Sequence, residues 1–387
     1  METAELATPL SADAHAQGMA TYFREGRERA MSLGNRGPLR FDSQGRLQAD
    51  ILEAYREHGF YVFEGVIGKE ELAELRADVE RILATAPTEP DGKLDKSGQP
   101  AFGLQFQRYP YRFAKPLSDP LGGTNLNNGR HPVKVLEPVP DADAPDWTIN
   151  LLHGNLHLMD SCLRLYGHPG LLAACASVVG QDFVPYTEVT FVKEPGLGPS
   201  VAWHQDGTTH WDAADWDRDA HGFNYMAQLY PSTPGNGVWV LPGSHSQGKV
   251  DIAKLVEASG SERIANAVPL VCEAGDVFMT NRQLVHGSFA NSSPDRRVTI
   301  NAGFFPRRRV VGVTTSRLTG ETETFDEERV HQRSRIIAVA IDARRQRFAE
   351  EESFVYQPLS GQEADNRWNE ATRSNVVKDY NLRDCFI

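Results

Sequence analysis

The sequence is poor in cysteine and has no long apolar run. Its four cysteines, Cys162, Cys175, Cys272 and Cys385, are scattered without a CxxC pair. That spacing suggests neither a zinc knuckle nor a disulfide framework and fits a reducing, cytoplasmic setting best. No uninterrupted apolar stretch approaches membrane-spanning length, so no membrane partner is expected. Met1 to Glu5 is acidic and is not followed by an apolar run, so an ordinary secretory signal is not expected either. Positive charge is outweighed by negative, with a formal net charge of -12. A general nucleic-acid binder needs a positive surface to displace counterions from phosphates, so that class is set aside. No internal repeat is visible. The chain has 40% hydrophobic and 24% charged residues over 387 positions, the composition of a globular protein of one large domain or two ordinary ones.

A helix is expected around Met19 to Met31. Asp50 to Arg56 then reads as a short amphipathic helix and Gly59 to Phe63 as a strand. Lys69 to Ala84 follows with apolar residues at Leu72, Leu75, Val79 and Leu83, the spacing of one helical face. Residues 86–145 are rich in Pro, Gly, Asp and Asn, with an aromatic and basic run from Phe106 to Phe113. A stretch this long with so little periodicity reads as an insertion or lid. Trp147 to Val179 reads as helix, broken at His168-Pro169-Gly170. His153 and His157 stand four apart there and could share a helix face, but no Glu follows the first, so HExxH is absent and packed histidines are the preferred reading.

From Asp182 the pattern turns to strands: 184–192, 201–206, 224–230, 237–241, 267–271, 276–280, 287–290 and 297–305, many of them separated by Gly/Pro turns. Short strands so punctuated suggest a sandwich or barrel, and the jelly roll is the form in which two facing sheets leave a pocket. After Pro306 a charged segment from Glu321 to Glu352 is expected to contain a helix packed outside the barrel. The expected division is an N-terminal extension (1–48), a main domain (49–306) carrying the insertion 86–145, and a C-terminal helical extension (307–387) packed on the same domain.

Chemistry concentrates in Trp203-His204-Gln205-Asp206. Side chains two apart on a strand share a face, so His204 and Asp206 could hold one metal ion while Trp203 and Gln205 turn away. A third donor is needed, and His286 in Leu284-Val285-His286-Gly287-Ser288 is the best candidate. Two histidines and a carboxylate on one side of an ion form the facial set of non-haem Fe(II) oxygenases, which leaves positions open for substrates. Taken singly, His204 could be a hydrogen-bonded core histidine, Asp206 a turn residue and Arg297 a surface partner of some carboxylate. His210 and His245 could support the site or the substrate without acting as ligands. Trp203, Trp211, Trp216, Phe223 and Tyr225 could line a pocket or belong to the core.

These residues resemble the phytanoyl-CoA dioxygenase family of Fe(II)- and 2-oxoglutarate-dependent oxygenases. The likeness extends in order through the Gly59 to Leu83 segment, His168-Pro169, Lys193-Glu194-Pro195-Gly196, Trp203-His204-Gln205-Asp206, Asn236-Gly237 and Pro242-Gly243-Ser244-His245, covering roughly residues 50 to 306. It implies a mainly β double-stranded β-helix (jelly roll, cupin-like) with flanking helices, in which His204, Asp206 and His286 bind Fe(II) and 2-oxoglutarate and O2 are co-substrates. The family's arginine, counted from the second histidine, lands on Arg297, whose planar fork would anchor the distal carboxylate of 2-oxoglutarate. Strand alternation sends Arg296 to the other face and gives Thr299 and Asn301 to the face of Arg297. Ser288 resembles a family co-substrate contact, and Lys193 matches a family landmark.

The activity implied is oxidation, by default hydroxylation, of an unactivated C–H bond in a small organic or secondary-metabolite substrate, with release of succinate and CO2. Desaturation, epoxidation and cyclisation are alternatives. Halogenating relatives replace the carboxylate ligand with a small residue, whereas Asp206 is present here. A non-oxidative cupin-like isomerase or binding protein is the competing class, and it has no need of a dicarboxylate anchor. Expected partners are a small-molecule substrate, no nucleic acid and no membrane, with a homodimer left open.

Overall fold

The computed structural model describes residues 10–106, 108–206, 222–316, 322–378 and 380. Its centre is an eight-stranded sheet in the order Arg36–Gly37, Phe60–Phe63, Val277–Asn281, Phe223–Gln228, Arg297–Pro306, Phe183–Lys193, Thr148–His153 and Tyr111–Ala114. Every neighbouring pair is antiparallel except the first. A four-stranded sheet, Val201–His204, His286–Ser288, Trp239–Val240 and Val268–Pro269, faces it. This is the jelly-roll arrangement expected from the strand pattern.

Alternation decides which side of the large sheet does what. Leu152, Val192, Ala227, Val277, Val298 and Ile300 point outward into one apolar cluster with Ile51, Leu75, Val79, Leu163, Leu172, Ile336 and Ile337 of the surrounding helices. The residues between them point inward. Phe60, Val62, Met226 and Phe278 meet Val238, Val240, Val268 and Leu284 at one end of the inter-sheet space, while the polar positions described below line the other. Helix Lys69–Ala84 has the span expected, because its buried Leu75, Val79 and Ile82 form one stripe. Helix Ala12–Ser32 crosses the outside of the small sheet, where a Cβ at Gly26 would stand 2.4 Å from the Trp239 ring. Only glycine permits that approach.

Helix Glu327–Arg347 joins the outer helical layer through a buried ion pair in which Arg344 Nη1 donates to Glu71 Oε1 at 2.6 Å. Cys162, Cys175 and Cys272 are free and buried; Cys385 lies outside the described residues.

The helix expected from Trp147 fails at its start. Thr148–His153 is a strand, hydrogen-bonded on one side to Phe183–Lys193 and on the other to Tyr111–Ala114, and helices begin only at Asn155. Gly154, at φ +80°, makes the break. His153 and His157 therefore do not share a helix face. The insertion 86–145 is also less irregular than its composition suggests, since Tyr111–Ala114 forms the edge of the large sheet.

Candidate metal centre

Strands Val201–His204 and His286–Ser288 are antiparallel neighbours with His204 directly opposite His286, so the two rings stand side by side with centroids 4.0 Å apart. Asp206 follows the first strand, held by its backbone N–H donating to the Arg282 carbonyl at 2.9 Å. One ligand atom from each of the three residues lies within 4.8 Å of the others. His204 Nε2 is 3.7 Å from Asp206 Oδ1 and His286 Nε2 is 4.0 Å from Oδ2. Facial ligands each about 2.1 Å from one ion stand about 3 Å apart, so the three side chains need to close by only about 1 Å to share a single metal.

Both histidines are fixed in the tautomer a ligand needs. Nδ1 of His204 donates to the Ala202 carbonyl and Nδ1 of His286 to the Leu284 carbonyl, each at 2.9 Å, which leaves the Nε2 lone pairs turned toward Asp206. Burial keeps both rings neutral. It lowers His204 well below its ordinary value with help from His286 and His131, and it lowers His286 against the pull of Asp206. Burial would push the Asp206 carboxyl up, but the charges of Arg282 and Arg130 outweigh it and hold the group ionised.

The carboxylate is also oriented. Arg282 Nη1 donates to Asn224 Oδ1 at 3.0 Å, Asn224 Nδ2 donates to Asp206 Oδ2 at 3.2 Å, and Arg130 Nη1 approaches Oδ1 at 3.0 Å. A carboxylate has about four lone-pair sites, so these bonds leave room for an ion. Gln205 turns the other way and ties the loop down, bonding the carbonyls of Gly248 and Gln283 and the N–H of Val250.

Farther along the inner face of the large sheet, Arg297 is 2% exposed, and its Nε and Nη1 have no hydrogen-bond partner among the described residues. Desolvation lowers its guanidinium to about 10. Lys193 is its cross-strand partner and is equally buried, with Nζ donating to the Phe289 carbonyl. Burial and the Arg297 charge lower Lys193 as well. A buried guanidinium with unmet donors beside a buried lysine forms a receptacle for an anion. Arg296, one residue away, points outward to Glu80 and Glu194. Thr299 is buried on the Arg297 face, but its hydroxyl donates to Gln228 Oε1 at 2.9 Å. Ser288 is buried two residues beyond His286.

Some expected contributors stand elsewhere. Trp203 sits behind the small sheet with its indole N–H on the Glu262 carbonyl, and Phe223 and Tyr225 belong to the outer core. His245 bonds the Arg56 carbonyl at 3.0 Å, away from the three ligand candidates. His210, Trp211 and Trp216 lie outside the described residues. Conversely, Arg130 and His131 of the 86–145 segment come onto the site, the His131 ring lying 4.3 Å from that of His204, and no local sequence signal marks either one.

The family described as phytanoyl-CoA dioxygenase (PhyH) matches residues 55–299. The protein named phytanoyl-CoA dioxygenase 1 from Oryza sativa subsp. japonica is 26% identical over 164 residues, a match covering 40% of this chain and 56% of the rice protein. Among solved structures, EctD from S. alaskensis with 2-oxoglutarate and 5-hydroxyectoine is 19% identical, over 70% of this chain and 80% of that one, with a TM-score of 0.46. EvdMO1 is 21% identical, over 66% of this chain and 49% of that one, also with a TM-score of 0.46.

Proposed function

The chain belongs to the phytanoyl-CoA dioxygenase family of Fe(II)- and 2-oxoglutarate-dependent oxygenases, and from that premise we propose that it oxidises a C–H bond of a small-molecule substrate, by default to the alcohol, with release of succinate and CO2. The observation that carries the reading is the pairing of a tautomer-fixed His204, Asp206, His286 set with a buried arginine, Arg297, whose donors have no protein partner among the described residues.

The donor set suits Fe(II). Two neutral imidazoles and one carboxylate meet part of its charge and leave positions for a chelating 2-oxo acid and O2. When bound, the iron supplies the activation of O2 and the oxidation of substrate coupled to decarboxylation of 2-oxoglutarate. The chain's own residues supply position and dryness. His204 and His286 present fixed lone pairs, Asn224 and Arg130 hold the Asp206 carboxylate, and Arg297 takes the distal carboxylate of 2-oxoglutarate beside Lys193. Ser288 and Thr299 complete the polar lining, Thr299 acting through Gln228. A non-oxidative cupin would gain nothing from burying Arg297 unpaired, and this favours the oxygenase reading.

The test is iron-dependent conversion of 2-oxoglutarate to succinate, screened over lipids, amino acids and secondary-metabolite scaffolds. His286→Ala is expected to abolish it while the far-UV circular dichroism is unchanged. Undiminished turnover by a His286→Ala protein holding substoichiometric iron would sink the assignment.

A further inference from the structure

One cation on the insertion side of the pocket, Arg112, is not used by the chemistry proposed above. Arg112 lies in Tyr111–Ala114, the edge strand of the large sheet. Its cross-strand partner is Leu151, which pairs with Phe191, which in turn pairs with Thr299. Residues directly opposite one another in a sheet share a face, so Arg112 belongs to the inner face that carries Thr299 and Arg297. It is partly buried. Among the described residues its guanidinium has no hydrogen bond, ion pair or ring contact, and the charge that acts on it is another cation, Arg130. Burial and that neighbour both lower its guanidinium.

Next to it, His131 is fully buried with neither ring nitrogen bonded among the described residues. Arg108 Nη2 lies 3.3 Å from His153 Nδ1. A partly buried guanidinium without a counter-charge, beside a neutral imidazole with unmet nitrogens, is a costly arrangement for the empty protein. An anion bound from solution resolves both.

We propose that Arg112, with Arg130 and His131 beside it, forms a second anion site in the pocket that takes the carboxylate, phosphate or sulfate group of an acidic substrate. This rests on the reading of Arg297 as the 2-oxoglutarate anchor. The strand of Arg112 is three ladder spacings from that of Arg297, roughly 14 Å, whereas the five-carbon chain of 2-oxoglutarate spans only about 6 Å at ordinary bond lengths. The second site therefore serves the molecule being oxidised.

The experiment uses the full chain with redox-inert Zn(II) and saturating 2-oxoglutarate, titrated calorimetrically with sodium sulfate as the probe against sodium chloride of matched ionic strength. Wild type binds sulfate saturably. Arg112→Gln weakens it about tenfold or more, as loss of a charge-assisted hydrogen bond requires, and Arg112→Lys recovers most of it. The affinity for 2-oxoglutarate is unchanged in both variants, which melt as cooperatively as wild type. Sulfate isotherms that do not distinguish Arg112→Gln from wild type overturn the proposal, and so does absence of sulfate binding in wild type. A parallel fall in 2-oxoglutarate affinity would assign Arg112 to the co-substrate and overturn it too. Failure of wild type to bind 2-oxoglutarate would instead sink the oxygenase reading, and the sulfate isotherms taken without it would then decide the anion site alone.

Discussion

Replacing Arg297 with methionine, a side chain of comparable length and no charge, is expected to stabilise the metal-free protein while destroying its use of 2-oxoglutarate. The guanidinium is lowered by desolvation to about 10, roughly 2.5 pH units below the ordinary arginine value. Its charged form is therefore disfavoured by folding, and the penalty is present at every pH below about 10 and relieved only above it. At about 1.4 kcal/mol per pH unit the penalty is about 3 kcal/mol. For 387 residues, an unfolding entropy of about 2.1 cal/mol/K per residue converts this to a melting temperature roughly 2–4 °C higher in Arg297→Met.

Binding moves the other way. Truncating one member of a buried charge pair costs about 2 to 5 kcal/mol, roughly thirty- to several-thousand-fold in affinity. The assay is a thermal melt of wild type, Arg297→Met and Arg296→Met, each metal-free, then with Mn(II), then with Mn(II) and 2-oxoglutarate. Mn(II) should raise the melting temperature of all three, and 2-oxoglutarate should raise that of the Mn(II)-bound wild type further and leave that of Mn(II)-bound Arg297→Met unmoved. Arg296→Met loses only partly exposed pairs with Glu80 and Glu194, worth under about 1 kcal/mol, and keeps the ligand response. A destabilised Arg297→Met that still responds to 2-oxoglutarate would refute the reasoning. The large effect falling on Arg296 would mean that the strand is read one residue out of register.

Two further outcomes test the frame around the site. His168 caps helix Pro169–Val179 through its Nδ1, which accepts from the Leu171 N–H, and burial lowers it to about 4. Its folded value is below the unfolded 6.5, so stability is lost as pH falls from about 6.5 to 4. His168→Asn, which keeps a capping oxygen, should remove about 2 to 3 kcal/mol of that acid loss in urea unfolding at pH 4 against pH 7, and an unchanged pH slope would contradict this. Arg344→Ala leaves Glu71 buried and unpaired between helices Glu327–Arg347 and Lys69–Ala84. A loss of about 3 to 5 kcal/mol is expected in the same experiment, and a loss below 1 kcal/mol would show that the C-terminal helix contributes little to holding the layer.

The expectations that succeeded rest on local periodicity. The eight strands between Asp182 and Pro306 and helix Lys69–Ala84 are written in alternation or in a 3.6-residue stripe bounded by turn residues. The opposing directions of Arg296 and Arg297 follow from the same period of two. What escaped depends on partners distant in sequence. Leu151 and Leu152 read as helical leucines, yet Thr148–His153 is a strand because Phe183–Lys193 and Tyr111–Ala114 satisfy its backbone from both sides. With residues 148–153 read as helix, Tyr111–Ala114 has no strand to pair with, and Arg112 is one basic residue in an aromatic run. Arg130 and His131 reach the site through the path of a segment with no period of its own, so only the assembled fold reveals them.

The most direct measurement of the central claim is the visible spectrum of the anaerobic Fe(II) protein as 2-oxoglutarate is added. A chelate at an iron held by His204, Asp206 and His286 predicts a weak charge-transfer band that saturates at one 2-oxoglutarate per iron. The band should be absent from His286→Ala and demand far more 2-oxoglutarate in Arg297→Met. Iron bound stoichiometrically with no band, or a band undiminished in His286→Ala, would contradict the account.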